Sequence, residues 1–123
     1  MIHDLYIDDK RVVLHLVEGQ RTGSVHGHEL REQIRGQMTL HPNVLDALFE
    51  NQHLILESWK LDEQRSFFWA VGYCDSHGNL YVRFLYWDGS AWDRACDCLS
   101  NYYWDDENPA AVLARVGAWN FGA

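Results

Sequence analysis

Three runs that alternate apolar and polar residues, 66–74, 80–87 and 91–99, carry the clearest signal in the chain. Asp75-Ser76-His77-Gly78-Asn79 separates the first from the second, and Asp88-Gly89 the second from the third, both hairpin signals. The pattern predicts an antiparallel meander. A two-residue loop at Asp88-Gly89 pairs Trp87 with Ser90, Leu85 with Trp92 and Arg83 with Arg94. A loop of Ser76 to Asn79 pairs Asp75 with Leu80 and Cys74 with Tyr81. Alternation then sorts the strands into two faces. Phe67, Trp69, Val71, Tyr73, Leu80, Val82, Phe84, Tyr86, Ala95 and Leu99 form an apolar face, expected against helices. Phe68, Ala70, Gly72, Cys74, Tyr81, Arg83, Leu85, Trp87, Trp92, Arg94, Cys96 and Cys98 form the other, which sets two arginines among Trp and Tyr. On this reading Trp69→Ala unfolds the domain, and Trp92→Ala costs clearly less.

Upstream, Leu5-Tyr6-Ile7 and Arg11 to Val17 read as two short strands joined by the polar turn Asp8-Asp9-Lys10. Gly19 to Gly27 reads as a loop. Leu30, Ile34 and Met38 recur at i, i+4, i+8 and predict a helix over 28–38. Pro42, followed by Val44, Leu45, Leu48 and Phe49, opens a second helix that Asn51 can close. Residues 54–59 fit a strand or a tight turn. Asn108-Pro109, an N-cap and first-turn proline pair, predicts a last helix through Val112, Leu113 and Val116. The expected class is α+β: an antiparallel sheet built on a three-stranded meander (about 66–99), packed against helices in the order ββααβββα.

Length and composition then narrow the picture. At 123 residues, with 47% apolar and 23% charged positions and no repeat or linker, the chain reads as a single domain, 1–123. Six Trp, six Tyr and five Phe are enough for a core and a binding face together. Ten basic against 18 acidic residues give a formal charge of -8, which repels a phosphate backbone and disfavours nucleic acid as partner. The N-terminus turns charged at once and the longest apolar stretch, 66–74, is too short to span a bilayer. A cytoplasmic protein with reduced thiols and no membrane partner is the expectation, and the three cysteines lack a framework spacing.

A resemblance adds to this. His53-Leu54-Ile55-Leu56-Glu57-Ser58-Trp59-Lys60, Phe67-Phe68-Trp69, Gly78 through Gly89 and Asn108-Pro109-Ala110-Ala111 are similar to an uncharacterised bacterial family over residues 51–115. Pro stands in that family where Leu56 stands here. The resemblance implies that the C-terminal half is a fold unit, and it implies no activity and no site residues.

The chemistry in the sequence is sparse. Cys74, His77, Cys96 and Cys98 are zinc-ligand types, yet the pairings above set Cys74 and Cys96 about 10 Å apart on outer strands, too far for shared coordination or a disulfide. His26-Gly27-His28 offers two ligands where first-row metals want three or four. Asp105-Asp106-Glu107 reads as acidic charge before a helix N-terminus, and the spacing of Asp93, Asp97, Asp105 and Asp106 marks no catalytic pair. No cofactor or metal is expected. Arg83 opposite Arg94 repels unless something lies between. A carboxylate or phosphate held by both guanidinium groups would resolve this, and so would stacking on Trp87 and Trp92 with pairing to local acids. The candidate binding residues are Tyr81, Arg83, Trp87, Trp92 and Arg94, expected as one open patch. They favour a non-enzymatic interaction, regulatory or inhibitor module, of the kind carried on mobile elements, whose partner is another protein or a second copy. The alternative is a small hydrolase or ligand-binding domain whose acidic and His groups converge only in three dimensions.

Overall fold

The computed structural model describes residues 3–100 and 103–115. Strands β1 (Tyr6–Ile7) and β2 (Lys10–His15) form the expected hairpin. Asp8 and Asp9 turn it at φ 52° and 64°, a left-handed region that short polar side chains tolerate.

The expected loop over 19–27 instead holds helix α1 (Glu18–Thr22) and strand β3 (Val25–His26). The organising residue is the buried Gln20. Its Oε1 accepts the Val17 N–H at 3.1 Å, and its Nε2 donates to the carbonyls of Asp105 and Asn108 at 3.1 and 2.8 Å. A single helical turn held by one glutamine leaves no apolar period to read.

Helix α2 (Gly27–Gln33) is shorter than its stripe suggested. After Leu30 and Ile34 the chain tightens through Arg35 and Gln37, and Met38 lies exposed in strand β4 (Met38–Thr39). Helix α3 (Pro42–Glu50) starts on proline as expected. His41 Nδ1 accepts the Asn43 N–H at 2.9 Å, and Asn51 donates its side-chain amide to Ala47 at the other end. Two 3-10 turns, Gln52–Leu54 and Glu57–Trp59, settle the ambiguous stretch.

The meander is present as β5 (Arg65–Cys74), β6 (Leu80–Trp87) and β7 (Trp92–Cys98). It is followed by β8 (Tyr103–Trp104), paired with β3, and by β9 (Ala110–Leu113). β9 stands where the last helix was predicted, and Val116 lies outside the described residues. Asn108 does not cap a helix: its Oδ1 accepts the Asp105 N–H at 3.0 Å, so its side chain folds back into the preceding turn. Asp105 likewise turns its carboxylate onto the Glu107 N–H, so the acidic run shapes a turn rather than facing a helix dipole. Ala110, Ala111 and Val112 are all buried. A strand covered on both faces reads as a plain apolar run, which a short helix also shows.

This strand changes the topology. The sheet has seven strands in the order β1-β2-β9-β5-β6-β7, with β4 also on β9, and the order ββααβββα does not describe it. β9 runs antiparallel to β2 and β4 and parallel to β5. The sheet is therefore mixed, and both halves of the chain build it. Leu40 sits between, donating its N–H to Ala111 and accepting from Ala70.

Each face of the sheet carries a core. On one, Phe67, Trp69, Val82, Phe84 and Leu99 pack with Leu30, Ile34 and Trp104. On the other, Phe68, Leu85 and Trp92 pack with Leu45, Leu48, Ile55, Leu56 and Trp59. At about 1.5–3 kcal/mol per large buried side chain, both are needed. Among the described residues no helix is long and apolar enough to cross a membrane.

The tightest approach is at Gly27, where an added Cβ would sit 2.2 Å from the Leu99 carbonyl oxygen. Backbone cannot swing aside as a flexible side chain can. Gly27→Ala should therefore cost about 1–3 kcal/mol in urea unfolding. Gly36→Ala, which meets nothing within 4 Å, should change stability by no more than about 0.5 kcal/mol.

Candidate functional site

Register decides which side chains meet. Asp88 Oδ1 accepts from both the Ser90 and Ala91 N–H groups, and the Asp88 N–H closes the loop onto Ala91 O. This loop is two residues longer than a bare Asp-Gly turn, so Trp87 pairs with Trp92 and Leu85 with Arg94. A slip of two keeps every side chain on its face. Arg83 and Arg94 are thus on one face but diagonal, with Cys96 opposite Arg83.

The first hairpin slips by one. Asp75 Oδ1 accepts from the His77 and Asn79 N–H groups, and Cys74 pairs with Leu80, Tyr73 with Tyr81. A slip of one turns side chains over. Tyr73 leaves the apolar face and joins Tyr81, and an irregularity in β5 between Phe68 and Tyr73 restores the core register at Phe67 opposite Phe84. Val71 and Tyr73, both expected against helices, are exposed.

Helix α3 covers only one end of the second face. Trp92 is 9% exposed, as buried as Trp69. Trp87 is half-buried, edge-on to Trp92 with ring centres 5.5 Å apart, and carries the Lys60 ammonium 4.2 Å above its ring. Trp92 belongs to the second core with Leu45 and Leu48 of α3 and Trp59, and Trp87 packs partly buried against it, so neither forms an open patch. Tyr81, Arg83 and Arg94 are brought together beyond the helix. With Tyr73, Asp75 and Cys96 they line a concavity of roughly 620 Å³.

Asp46 on α3 answers the charge conflict between the arginines. Arg83 holds it bidentately, Nη1 to Oδ2 at 3.0 Å and Nη2 to Oδ1 at 2.7 Å, and Arg94 Nη1 reaches the same Oδ1 at 2.7 Å. Arg94 also stacks 4.2 Å above the Phe49 ring, not on Trp87 or Trp92. The Arg83 hydrogen bond is the largest effect on Asp46; burial opposes it, and the charges of both guanidinium groups together with the Arg94 hydrogen bond add to it, so the carboxyl is held below its ordinary range. The same bond raises Arg83, with help from the Tyr73 hydroxyl. Burial pushes Tyr81 up first and the nearby Asp75 carboxylate second, its hydroxyl lying 3.4 Å from Asp75 Oδ2.

Two positive charges thus share one internal carboxylate. Each guanidinium has more N–H donors than Asp46 occupies, so the pair suits a second anionic or acceptor group, with two tyrosines alongside. Sequence reasoning missed Tyr73, Asp75 and Asp46. Asp46 and Phe49 were findable, since their i, i+3 spacing sets them on one helical face.

The other candidates lie elsewhere. Asp93 accepts from the Arg94 N–H at 2.8 Å and from the Tyr86 hydroxyl, while Asp97 pairs with Arg65 at 3.8 Å. Cys74 and Cys96 are exposed and Cys98 buried, all as free thiols. His26 and His28 stack ring on ring, with His26 Nδ1 accepting the His28 N–H. Among the described residues no group of three or more His, Cys, Asp or Glu is disposed to hold a metal ion. Compared with known proteins, the chain matches no family model, no curated protein and no solved structure.

Two outcomes follow from this geometry. Trp92→Ala should cost about as much as Trp69→Ala, about 3–5 kcal/mol each in urea melts; a clearly cheaper Trp92→Ala would mean the second core is not closed over it. The second concerns pH. The folded pKa of Asp46 lies below its unfolded value, so the clamp's stabilisation is full above the ordinary aspartate range and is lost as pH falls through the depressed value. Between neutral pH and about pH 2, the urea midpoint of the natural chain should therefore fall further than that of Asp46→Asn.

Proposed function

We propose that the protein is a non-enzymatic interaction module that binds another protein at the open end of the β5–β6–β7 face, through Tyr73, Tyr81, Arg83 and Arg94. The observation that carries this reading is the Asp46 clamp. It fixes two arginines with one carboxylate between them, beside an uncovered concavity walled by tyrosines.

Tyrosine and arginine are the side chains that concentrate binding energy at protein interfaces, because they offer large rigid contact area together with hydrogen bonds. Rigidity matters as much as type. Arg83 is held bidentately and Arg94 is stacked, so less side-chain entropy is lost on docking than from free arginines. The ligand group is a carboxylate, which the forked donors match. A nucleic-acid backbone would meet the same arginines, but with a formal charge of -8 it would be repelled by the rest of the molecule.

Selection of displayed random peptides on the full-length protein tests this. Arg94→Ala and Tyr73→Ala touch exposed or half-clamped side chains, so both should keep the fold. Each should weaken the selected peptides by about tenfold or more. Peptides that bind both variants as tightly as the natural chain would show that the concavity is not the contact surface.

A further inference from the structure

Among the described residues, the strand that walls the concavity is also the last of the sheet. β7 ends the order β1-β2-β9-β5-β6-β7, and residues 93–96 are exposed. Which backbone groups it leaves free follows from its two ends. Leu99 donates its N–H to Leu80 O, and Ala91 O accepts the Asp88 N–H. In an antiparallel ladder these inward groups alternate. The odd residues of β7 therefore bond to β6, while Arg94 and Cys96 turn their N–H and C=O to the free side. Arg94 confirms this independently, because its N–H is taken by the side chain of Asp93 at 2.8 Å.

On the reading of the site given above, we propose that the partner docks as an extended strand added to β7, with acidic and basic residues in alternation. Its backbone would pair with Cys96 and, displacing the Asp93 carboxylate, with Arg94. Its residue opposite Arg94 faces the concavity, where an acid meets the two guanidinium groups. Its neighbours face the other side of the sheet, opposite Asp93, where a Lys or Arg is favoured. Strand addition supplies affinity through the ladder and specificity through alternate side chains. β7 runs its seven residues against β6 without a bulge or a proline, and the Asp93 side chain caps the outward Arg94 N–H.

The partner is another protein rather than a second copy. Antiparallel self-pairing sets residues of one face opposite each other. Within the exposed span, a register centred on 93 opposes Asp93 to its counterpart, one centred on 94 opposes Arg94 to its counterpart, and one centred on 95 opposes Asp93 to Asp97. All three place like charges together. A register centred further along needs Cys98, which is buried.

The test uses peptides of about twelve residues, long enough to span the edge, selected by display on the full-length protein. Selected sequences should alternate acidic and basic residues. Cys96→Pro removes the outward N–H at a place where an edge strand tolerates proline and should weaken them by about tenfold or more, while Cys96→Ser, which keeps the N–H and changes only the side chain, binds as before. Hydrogen exchange on the natural chain stays decisive even if Cys96→Pro unfolds: bound peptide should slow exchange at the Cys96 N–H. Peptides without alternation, equal binding to Cys96→Pro, or unchanged exchange would overturn strand addition. Sedimentation showing self-association that Cys96→Pro abolishes would overturn the choice of another protein over a second copy. If Arg94→Ala weakens binding and Cys96→Pro does not, side-chain docking in the concavity stands and strand addition fails. If Cys96→Pro weakens binding and Arg94→Ala does not, the concavity itself is the wrong site, and the acid opposite Arg94 goes with it.

Discussion

The fold turns on four residues, Ala110 to Leu113, at the centre of the sheet. β9 is the last strand in sequence among the described residues, yet it is the one that joins the halves: β2 lies on one side, β4 and β5 on the other. Its side chains serve both cores, Ala110 and Val112 with Phe67 on one face, Ala111 with Leu45 and Phe68 on the other. Two alanines here keep the layers close, since any larger side chain would have to displace packed neighbours. Without β9 the N-terminal hairpin would be an isolated two-stranded unit, which is marginal in water.

The position of β9 also accounts for the irregularity that builds the concavity. β5 pairs with β9 only at Phe67 and Ala110, because β4 takes over the remaining edge of β9. Leu40 enters the gap, receiving the Ala70 N–H as β5 peels away. β5 loses its regular match to β6 over the same residues, between Phe68 and Tyr73. The outer part of the strand can then turn over, and Tyr73 moves from the core side to the site. A constraint at the centre of the sheet thus fixes the composition of a surface some strands away.

This chain of causes explains what could be read from the residues alone. The meander, the α3 proline start and the core roles of Phe67, Trp69, Val82 and Phe84 rest on local patterns, and local patterns survive. The last helix failed because Asn108-Pro109 is equally good chemistry for a turn that enters a buried strand. The choice between helix and strand belongs to β2 and β5, far away in sequence. α1 failed for the same reason: Gln20 finds its partners at Asp105 and Asn108. In the site, face membership of Arg83, Arg94 and Tyr81 was legible because the Asp88 loop slipped the register by two. Tyr73 was not, because the Asp75 turn slipped it by one. The burial of Trp87 and Trp92 depends on where α3 lies, and no periodicity within the strands carries that.

The placement of the two arginines is costly unless they have a use. Asp46 against two guanidinium groups leaves one excess positive charge within the clamp, in a chain whose formal charge is -8. For stability alone, one partner would suffice, since exposed pairs contribute little and a second cation on the same carboxylate is partly opposed by the first. Nor does the second arginine fill a core, for Arg94 is exposed and stacks at the rim on Phe49. What the arrangement gains is direction: a fixed, forked set of donors beside a concavity and a strand edge that no strand pairs among the described residues. On the proposed reading, such a clamp in a chain of negative net charge would steer anionic side chains to one place, which is the behaviour required of a surface that selects a partner and not merely of one that stays soluble.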